Sequence, residues 1–443
     1  ATIGTSRAAR NTVTECKSAT PSAATKTSPA PTAVPAWTRW HRLAFVLGLL
    51  FLASQAWLFQ HKLDAAAPPL LIDFNDFHVV GTMVSQGNAA RAYDWPALKA
   101  EQIAQTGNWT FLPWAYPPQF TLFTVVLGLL PIWAAYMLFV GGSWLLFYSA
   151  LRRLAPGSTV PALLLALPAI LINGKCGQTG FLSAGLMGWI LVLMRERSAG
   201  AGWPLGAMIF KPHLAAGMGL LVLIERRWGA VVRAGLLVLG LTVIATMLFG
   251  PSIWAAFRAG TDVASHYLWL GEYPLERMTT VFAALHHFGA PPATAMTVHV
   301  ACAIGVAVAF LVAWRRAIDR DLSLALAPAL SLVASPYTYD YDNVALALIA
   351  GLLLPRFAAR ASLREALLLV ALSWTTTANY LWVGLRQIYY GVPMITADMR
   401  LWTISPFSLA ALAALVIVVL RRPMTRPAPW TRFYIRAGGS LPA

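Results

Sequence analysis

The segment LIDFNDFHVVGTMVSQGNAARAYDW, residues 71–95, carries two carboxylates at a spacing that could do chemistry. If residues from Asp73 to about Gln86 are helical, Asp73 and Asp76 lie one turn apart on one face, while Phe77, Val80, Gly81 and Val84 form an apolar stripe. A carboxylate held this way can take a proton from a hydroxyl. A second one beside it would raise its pKa by like-charge repulsion. Aspartate at a helix start is also ordinary capping chemistry, because its oxygen can accept an orphan backbone N–H. Both readings stand at this level.

The elements that must position these residues belong to a membrane protein. The chain has 443 residues, 58% hydrophobic and 11% charged. Its apolar residues come in long blocks, the pattern of an all-α polytopic membrane protein. Barrel strands would alternate instead. The first block, LAFVLGLLFLASQAWLF at residues 43–59, is too long and too late for a cleaved signal peptide. Further blocks at 118–131, 132–151, 159–174, 177–194, 202–224, 229–250, 291–314, 320–335, 341–355, 363–382 and 404–420 bring the expected total to about 12 transmembrane helices.

The net charge of +16, from 33 basic and 17 acidic residues, could point to nucleic acid. The basic residues instead sit at the ends of apolar blocks, where they set topology. Arg7, Arg10, Lys17, Lys26, Arg39 and Arg42 place the N-terminus in the cytoplasm, and an even number of spans returns the basic tail at 423–443 to that side. Residues 1–36, rich in Ala, Ser, Thr and Pro, are expected to form a disordered cytoplasmic tail. The long polar segment after the first span, from about 61 to 118, then falls outside the cytoplasm and is long enough to be functional. Segments 250–292 and 377–400 fall on the same face, so all of them could roof a single site.

Two features resist this scheme. Simple alternation puts Arg152, Arg153, Arg195 and Arg197 outside, against the charge rule, and WPLGAMIFKPHLAAGMGLLVLIERRW at 203–228 reads either as one helix or as two short ones broken at Lys211-Pro212. No metal spacing, glycine-rich phosphate loop or disulfide framework is present, and Cys16, Cys176 and Cys302 are scattered.

DFHVVGTMVSQGNAARAYD followed by FLPWAYPPQFTLFTVVLGLLP resembles the signature of the polyprenyl-phosphate-mannose-type mannosyltransferases of glycosyltransferase family 87, which have the GT-C membrane fold. The elements are Asp76-Phe77-His78-Val79, Tyr93-Asp94 and Tyr116-Pro117-Pro118, and they continue in order with Gly177-Gln178, Lys211-Pro212 and SPYTYDYD at 335–342. The resemblance implies a GT-C catalytic domain over 37–422 with a long first extracytoplasmic loop, in a multi-pass protein of the bacterial inner membrane. It implies a polyprenyl-phosphate sugar donor, most simply mannose, a glycan or glycolipid acceptor on the periplasmic side, and no metal or other cofactor.

It also implies that Asp76 is the general base. A single displacement with inversion needs one carboxylate, because phosphate leaves without protonation, unlike the leaving group of many glycoside hydrolases. Around the donor phosphate the candidates are Lys211, an ionisable residue in an apolar block, and the basic residues of the second outer segment, His266 and Arg277 with Arg258, His286 and His287. Arg386 and Arg400 fall in the third. Asp73, His78, Tyr93, Tyr116, Gln178, Asp340 and Asp342 complete the candidate substrate-binding set. Asp340 and Asp342 could equally cap the following helix, and Gln178 could serve only its helix junction. Trp109, Trp114, Tyr116, Tyr267, Trp269 and Tyr273 suit sugar stacking or an interfacial aromatic belt. The rival function is a secondary transporter or lipid flippase that uses Lys211 and Asp342 as intramembrane charges. The absence of a recognisable inverted repeat weighs against it. A noncatalytic assembly scaffold is a third reading, in which substitution of Asp76 leaves function intact.

Overall fold

The computed structural model describes residues 38–64, 73–107, 111–375, 407–421 and 430–436. The expected N-terminal tail, the third outer segment with Arg386 and Arg400, and Trp109 lie outside these residues. The described elements are helical, with one isolated antiparallel bridge, between Met278 and Tyr339.

Helix α1 (Arg39–Asp64) precedes the amphipathic α2 (Asp73–Ser85), a 3-10 turn at Ala89–Tyr93 and α3 (Trp95–Thr106). The chain continues through α4 (Pro118–Gly128), α5 (Ile132–Tyr136), a π-helical turn (Met137–Gly141) and α6 (Gly142–Leu154). Next come α7 (Thr159–Leu165), α8 (Leu167–Cys176), α9 (Gly180–Arg195), α10 (Gly202–Ala207) and α11 (Ala216–Ile224). Then follow α12 (Trp228–Phe249), α13 (Ser252–Leu270), α14 (Val281–His287), α15 (Pro292–Arg315), α16 (Arg320–Ala334) and α17 (Leu346–Ala358).

Among the described residues, five helices are long and apolar enough to cross a membrane: 39–58, 132–154, 228–249, 292–315 and 340–358. A sixth is added if α7 and α8, bent by 70° at their junction, count as one span. Several of the other apolar blocks form helices of only 10–17 residues. At three places two helices meet at a break in the chain. α8 and α9 meet at Gly177–Thr179, the 199–210 and 212–224 helices meet at Lys211, and α16 meets the 3-10 turn that opens α17 at 335–339. The 203–228 segment is therefore two short pieces, broken at Lys211, whose φ of −137° is not helical and whose successor is a proline.

The basic residues that resist simple alternation are joined by ion pairs to acidic residues at neighbouring helix ends. Arg153 at the end of α6 pairs with Glu196 at the end of α9 at 2.7 Å. Arg195 pairs with Asp321 at the start of α16, and Arg356 in the last turn of α17 bonds both Asp319 (2.6 Å) and Asp321 (2.9 Å). Tyr148 of α6 donates to the carbonyl of His41, in the first turn of α1. All these helix ends lie together at one end of the bundle, the end at which α1 begins.

Backbone approach at glycines sets the position of α2. A Cβ on Gly81 would overlap the Thr124 carbonyl oxygen, and one on Gly128 would overlap the Gly81 backbone, so α2 and α4 touch main chain to main chain. Phe77, one turn before Gly81, enters a cluster of rings with Trp114, Tyr116, Phe120 and Phe139 at centroid distances of 5.2–5.9 Å. Gly81→Ala is expected to force the helices apart at a cost of about 1–3 kcal/mol, and to impair the site carried by α2 by more than its loss of Tm alone accounts for. Thermal melts in detergent beside activity at a temperature where both proteins are folded would read the two effects separately.

Candidate active site

The tips of the short helix pairs converge with α2 and the outer segment on a cavity of about 310 Å³. Asp73, Asp76, Tyr116, Gln178, Lys211 and Arg277 all line it. The i, i+3 spacing does what helical geometry requires, presenting both carboxylates of α2 to one space.

Each tip is built by local chemistry. Gly177 ends α8 with φ +70°, a left-handed conformation that favours glycine, and a Cβ there would press on Phe74 of α2. Asn173 accepts from the Gly180 N–H at 2.7 Å, closing the turn that carries Gln178, which in turn accepts from the Tyr116 hydroxyl at 3.2 Å. In SPYTYDYD, Asp342 Oδ2 caps the Tyr339 N–H at 3.1 Å while Oδ1 accepts from Lys211 Nζ at 2.9 Å. Asp342 therefore both caps the turn and holds Lys211. The ammonium of Lys211 sits 4.7 Å from the centre of the Tyr341 ring, and both members of the pair are buried.

Arg277 forms the second cationic centre. Its guanidinium bonds Asp340 through Nε and Nη2, each at 3.2 Å, and reaches Asp73 at 3.6 Å. A fork geometry of this kind matches carboxylates and phosphates alike. Asp340 also accepts from the Tyr341 N–H at 2.8 Å.

Asp76 differs from its neighbours in having no cation paired with it among the described contacts. It is 6% exposed, and its Oδ1 accepts from Gln102 Nε2 at 2.8 Å. Burial pushes its carboxyl from the usual 3.8 up to about 8; the Gln102 hydrogen bond opposes the shift and the nearby Asp73 adds to it. Like-charge repulsion is thus present, as the spacing implied, but desolvation is the larger cause.

Aromatic rings form one wall. Tyr337, Tyr339 and Tyr341, at the turn and the start of the 3-10 helix that follow Pro336, all line the cavity. Tyr339 and Tyr341 stack at 5.3 Å with planes 4° apart, and Tyr273 meets Tyr337 edge-on at 5.4 Å. Near the mouth, Trp95 and Tyr267 pack at 4.8 Å beside Glu272. Two lining groups, Trp95 Nε1 and His213 Nε2, are buried without a hydrogen-bond partner among the described residues. A hydroxyl-rich ligand would satisfy such atoms.

The remaining sequence candidates lie elsewhere. Tyr93 is buried behind the wall, where its hydroxyl donates to the Tyr116 carbonyl and meets Thr121 Oγ1, both at 2.9 Å, while Asp94 caps α3 through the Ala97 N–H. The Tyr-Asp pair therefore locks the outer segment to α4. His78 points away, bonding the Leu130 carbonyl at 2.9 Å through Nε2. His266 is exposed on α13, and Arg258 on the same helix pairs with Asp262. Trp114 is fully buried in the α2–α4 core, and Trp269 is exposed. Gln102, Trp95 and the alternating tyrosines were not singled out from the sequence; only the tyrosines carried a visible signal, their period of two. Among the described residues, no three His, Cys, Asp or Glu side chains cluster to hold a metal ion.

Comparison with protein families matches residues 114–336 to glycosyltransferase family 87. That stretch contains Tyr116, Gln178, Lys211 and Arg277, whereas Asp73 and Asp76 precede it and Asp340 and Asp342 follow it. No curated protein and no solved structure matches the chain.

Proposed function

Because the chain belongs to glycosyltransferase family 87 and is thus a membrane-embedded glycosyltransferase, we propose that it moves a hexose, mannose in the simplest case, from a polyprenyl phosphate to a lipid-linked or membrane-near glycan. The observation that carries this reading is the pairing of chemistries in one cavity: a buried, cation-free carboxylate opposite a lysine and an arginine. An acceptor hydroxyl gives its proton to Asp76, its oxygen bonds to the anomeric carbon with inversion, and the bond from that carbon to the phosphate oxygen breaks. The leaving phosphate keeps the electron pair and its negative charge, so it needs cations rather than an acid. Lys211 and Arg277 supply them at the tips of short helices, where a lipid phosphate can arrive from the bilayer. Asp340 and Asp342 hold those cations in place, and the tyrosine wall offers ring faces to a pyranose.

The topology follows from charge. Placing the arginine-rich end of the bundle in the cytoplasm obeys the positive-inside rule, and the cavity then opens on the periplasmic side of a bacterial inner membrane. The paired short helices enter from the cytoplasmic end and turn back at the site, so the count of about 12 apolar segments includes partial crossings.

The test is transfer by the purified protein in lipid nanodiscs, from synthetic polyprenyl-phosphate mannose to a panel of glycolipid acceptors. The expected product has the anomeric configuration opposite to that of the donor. Use of a nucleotide sugar in place of the lipid donor would overturn the donor assignment. Movement of lipid or sugar across the membrane without a new covalent bond would favour the transporter reading, which the buried Lys211–Asp342 pair keeps in view.

A further inference from the structure

We propose that Gln102 is the positioning residue of the reaction: it clamps one oxygen of Asp76, so that the other is the oxygen that receives the acceptor's proton. The inference rests on the reading of Asp76 as the base. Its geometry is independent of that reading.

Gln102 is completely buried on α3, and its amide is held at both ends. Oε1 accepts from the Leu112 N–H at 3.2 Å, while Nε2 donates to the Leu112 carbonyl at 2.7 Å and to Asp76 Oδ1 at 2.8 Å. The side chain thus brackets the N–H and the C=O of one residue, Leu112, as a strand neighbour would. Its orientation follows from its partners, since turning the amide over would face its oxygen to both the Leu112 carbonyl and the Asp76 carboxylate. One N–H is consequently aimed at Oδ1 before any substrate arrives.

Such a bracket has consequences for chemistry. Fixing Oδ1 fixes the plane of the carboxylate, and positioning of a reacting group is worth large factors in rate. A hydrogen bond to the ionised form also favours the carboxylate against the cost of its burial. Because Gln102 ties α3 to the segment before Tyr116, the roof of the cavity and its base are held by the same amide. The other charged groups facing this space, Asp73, Lys211, Glu272 and Arg277, do not bond Gln102, so its substitution removes one donor from Asp76 together with the two bonds to Leu112.

Gln102→Met keeps the length and removes the donor. The measurement is modification of Asp76 by dicyclohexylcarbodiimide, which attacks protonated carboxyls in apolar sites, followed by peptide mass across pH. Beside it runs the pH profile of kcat/KM for transfer from polyprenyl-phosphate mannose. In wild type the labelling midpoint is expected near pH 8. In Gln102→Met it is expected about one to two pH units higher, with kcat/KM at pH 7 lowered by about ten- to a hundredfold and the rising limb of the profile moving with the midpoint. Should Gln102→Met fail to fold, Gln102→Glu keeps the size and an oxygen for the Leu112 N–H, and the same upward shift is expected. A folded variant whose labelling midpoint stays where it was would overturn the proposal and leave Gln102 as a brace for Leu112 alone. If wild type transfers no sugar from this donor, the donor reading fails, while the labelling arm still decides whether Gln102 governs Asp76.

Discussion

Asp76→Asn is expected to lower sugar transfer by about a hundredfold or more, the scale of general-base catalysis, and at the same time to raise the protein's Tm. The activity half follows from the loss of a buried cavity carboxylate that has no cation partner among the described contacts. The stability half follows from the same burial. Asp76 in the folded protein has a pKa of about 8 against 3.8 for an ordinary aspartate, so between those values the unfolded chain is ionised while the folded chain holds its proton. The unfolded state therefore binds fewer protons, and stability falls as pH rises through that window. The penalty is absent below about pH 4, grows steadily with pH to about three quarters of its full size at neutral pH, and is complete above about 8. Asparagine keeps an oxygen for Gln102 and carries no such penalty, so a gain on the order of a few kcal/mol is expected at pH 8 and little or none at pH 4. A group that costs stability in order to be a strong base is the trade found at active sites.

The wild-type pH profile gives a second reading of the same residue. With Asp76 as base, log kcat/KM climbs with pH below about 8 and levels above it, and residual activity of Asp76→Asn loses that limb. A rising limb that survives in the variant would pass the role to another group. Tm at pH 4 and pH 8 by scanning fluorimetry, with transfer rates from pH 6 to 9.5, covers both halves.

Much of the site was visible in the sequence because its residues interrupt strong patterns. Asp73 and Asp76 open an amphipathic helix, Lys211-Pro212 breaks an apolar block, and SPYTYDYD puts carboxylates beside a proline; each reaches the cavity or pairs with a residue that does. The helix pairing was not visible. An apolar block of 10–17 residues scores like a full crossing, so counting blocks separates Arg153 and Arg195 from the end of the bundle at which α1 begins, whereas their ion pairs with Glu196 and Asp321 group them with other helix ends. Gln102 was hidden for another reason. A glutamine on a polar helix in an outer segment has no local signature, and its partner Asp76 lies 26 positions away. Contacts that depend on tertiary approach leave no trace in periodicity, whereas breaks in periodicity are themselves the signal.

Removing one member of the Lys211–Asp342 pair should cost far more than removing both. The two charges meet at 2.9 Å with side chains 6% and 0% exposed, so neither can turn to water when its partner is lost. Lys211→Met strands a buried carboxylate, and Asp342→Asn strands a buried ammonium. Each is expected to destabilise by about 3–5 kcal/mol. The double variant Lys211→Met/Asp342→Asn loses both charges together and keeps an amide oxygen for the Tyr339 N–H, so it should recover most of that loss, a large coupling on a double-mutant cycle. Donor binding should not follow stability. If Lys211 meets the donor phosphate, Asp342→Asn still binds polyprenyl-phosphate mannose, whereas Lys211→Met and the double variant lose about tenfold or more in affinity, the scale of one charge-assisted hydrogen bond. Melts of the four proteins, paired with donor binding in nanodiscs, separate the lysine's place in the fold from its place in the chemistry. A double variant that melts like wild type and still binds donor with wild-type affinity would confine the pair to structure and leave the phosphate to Arg277.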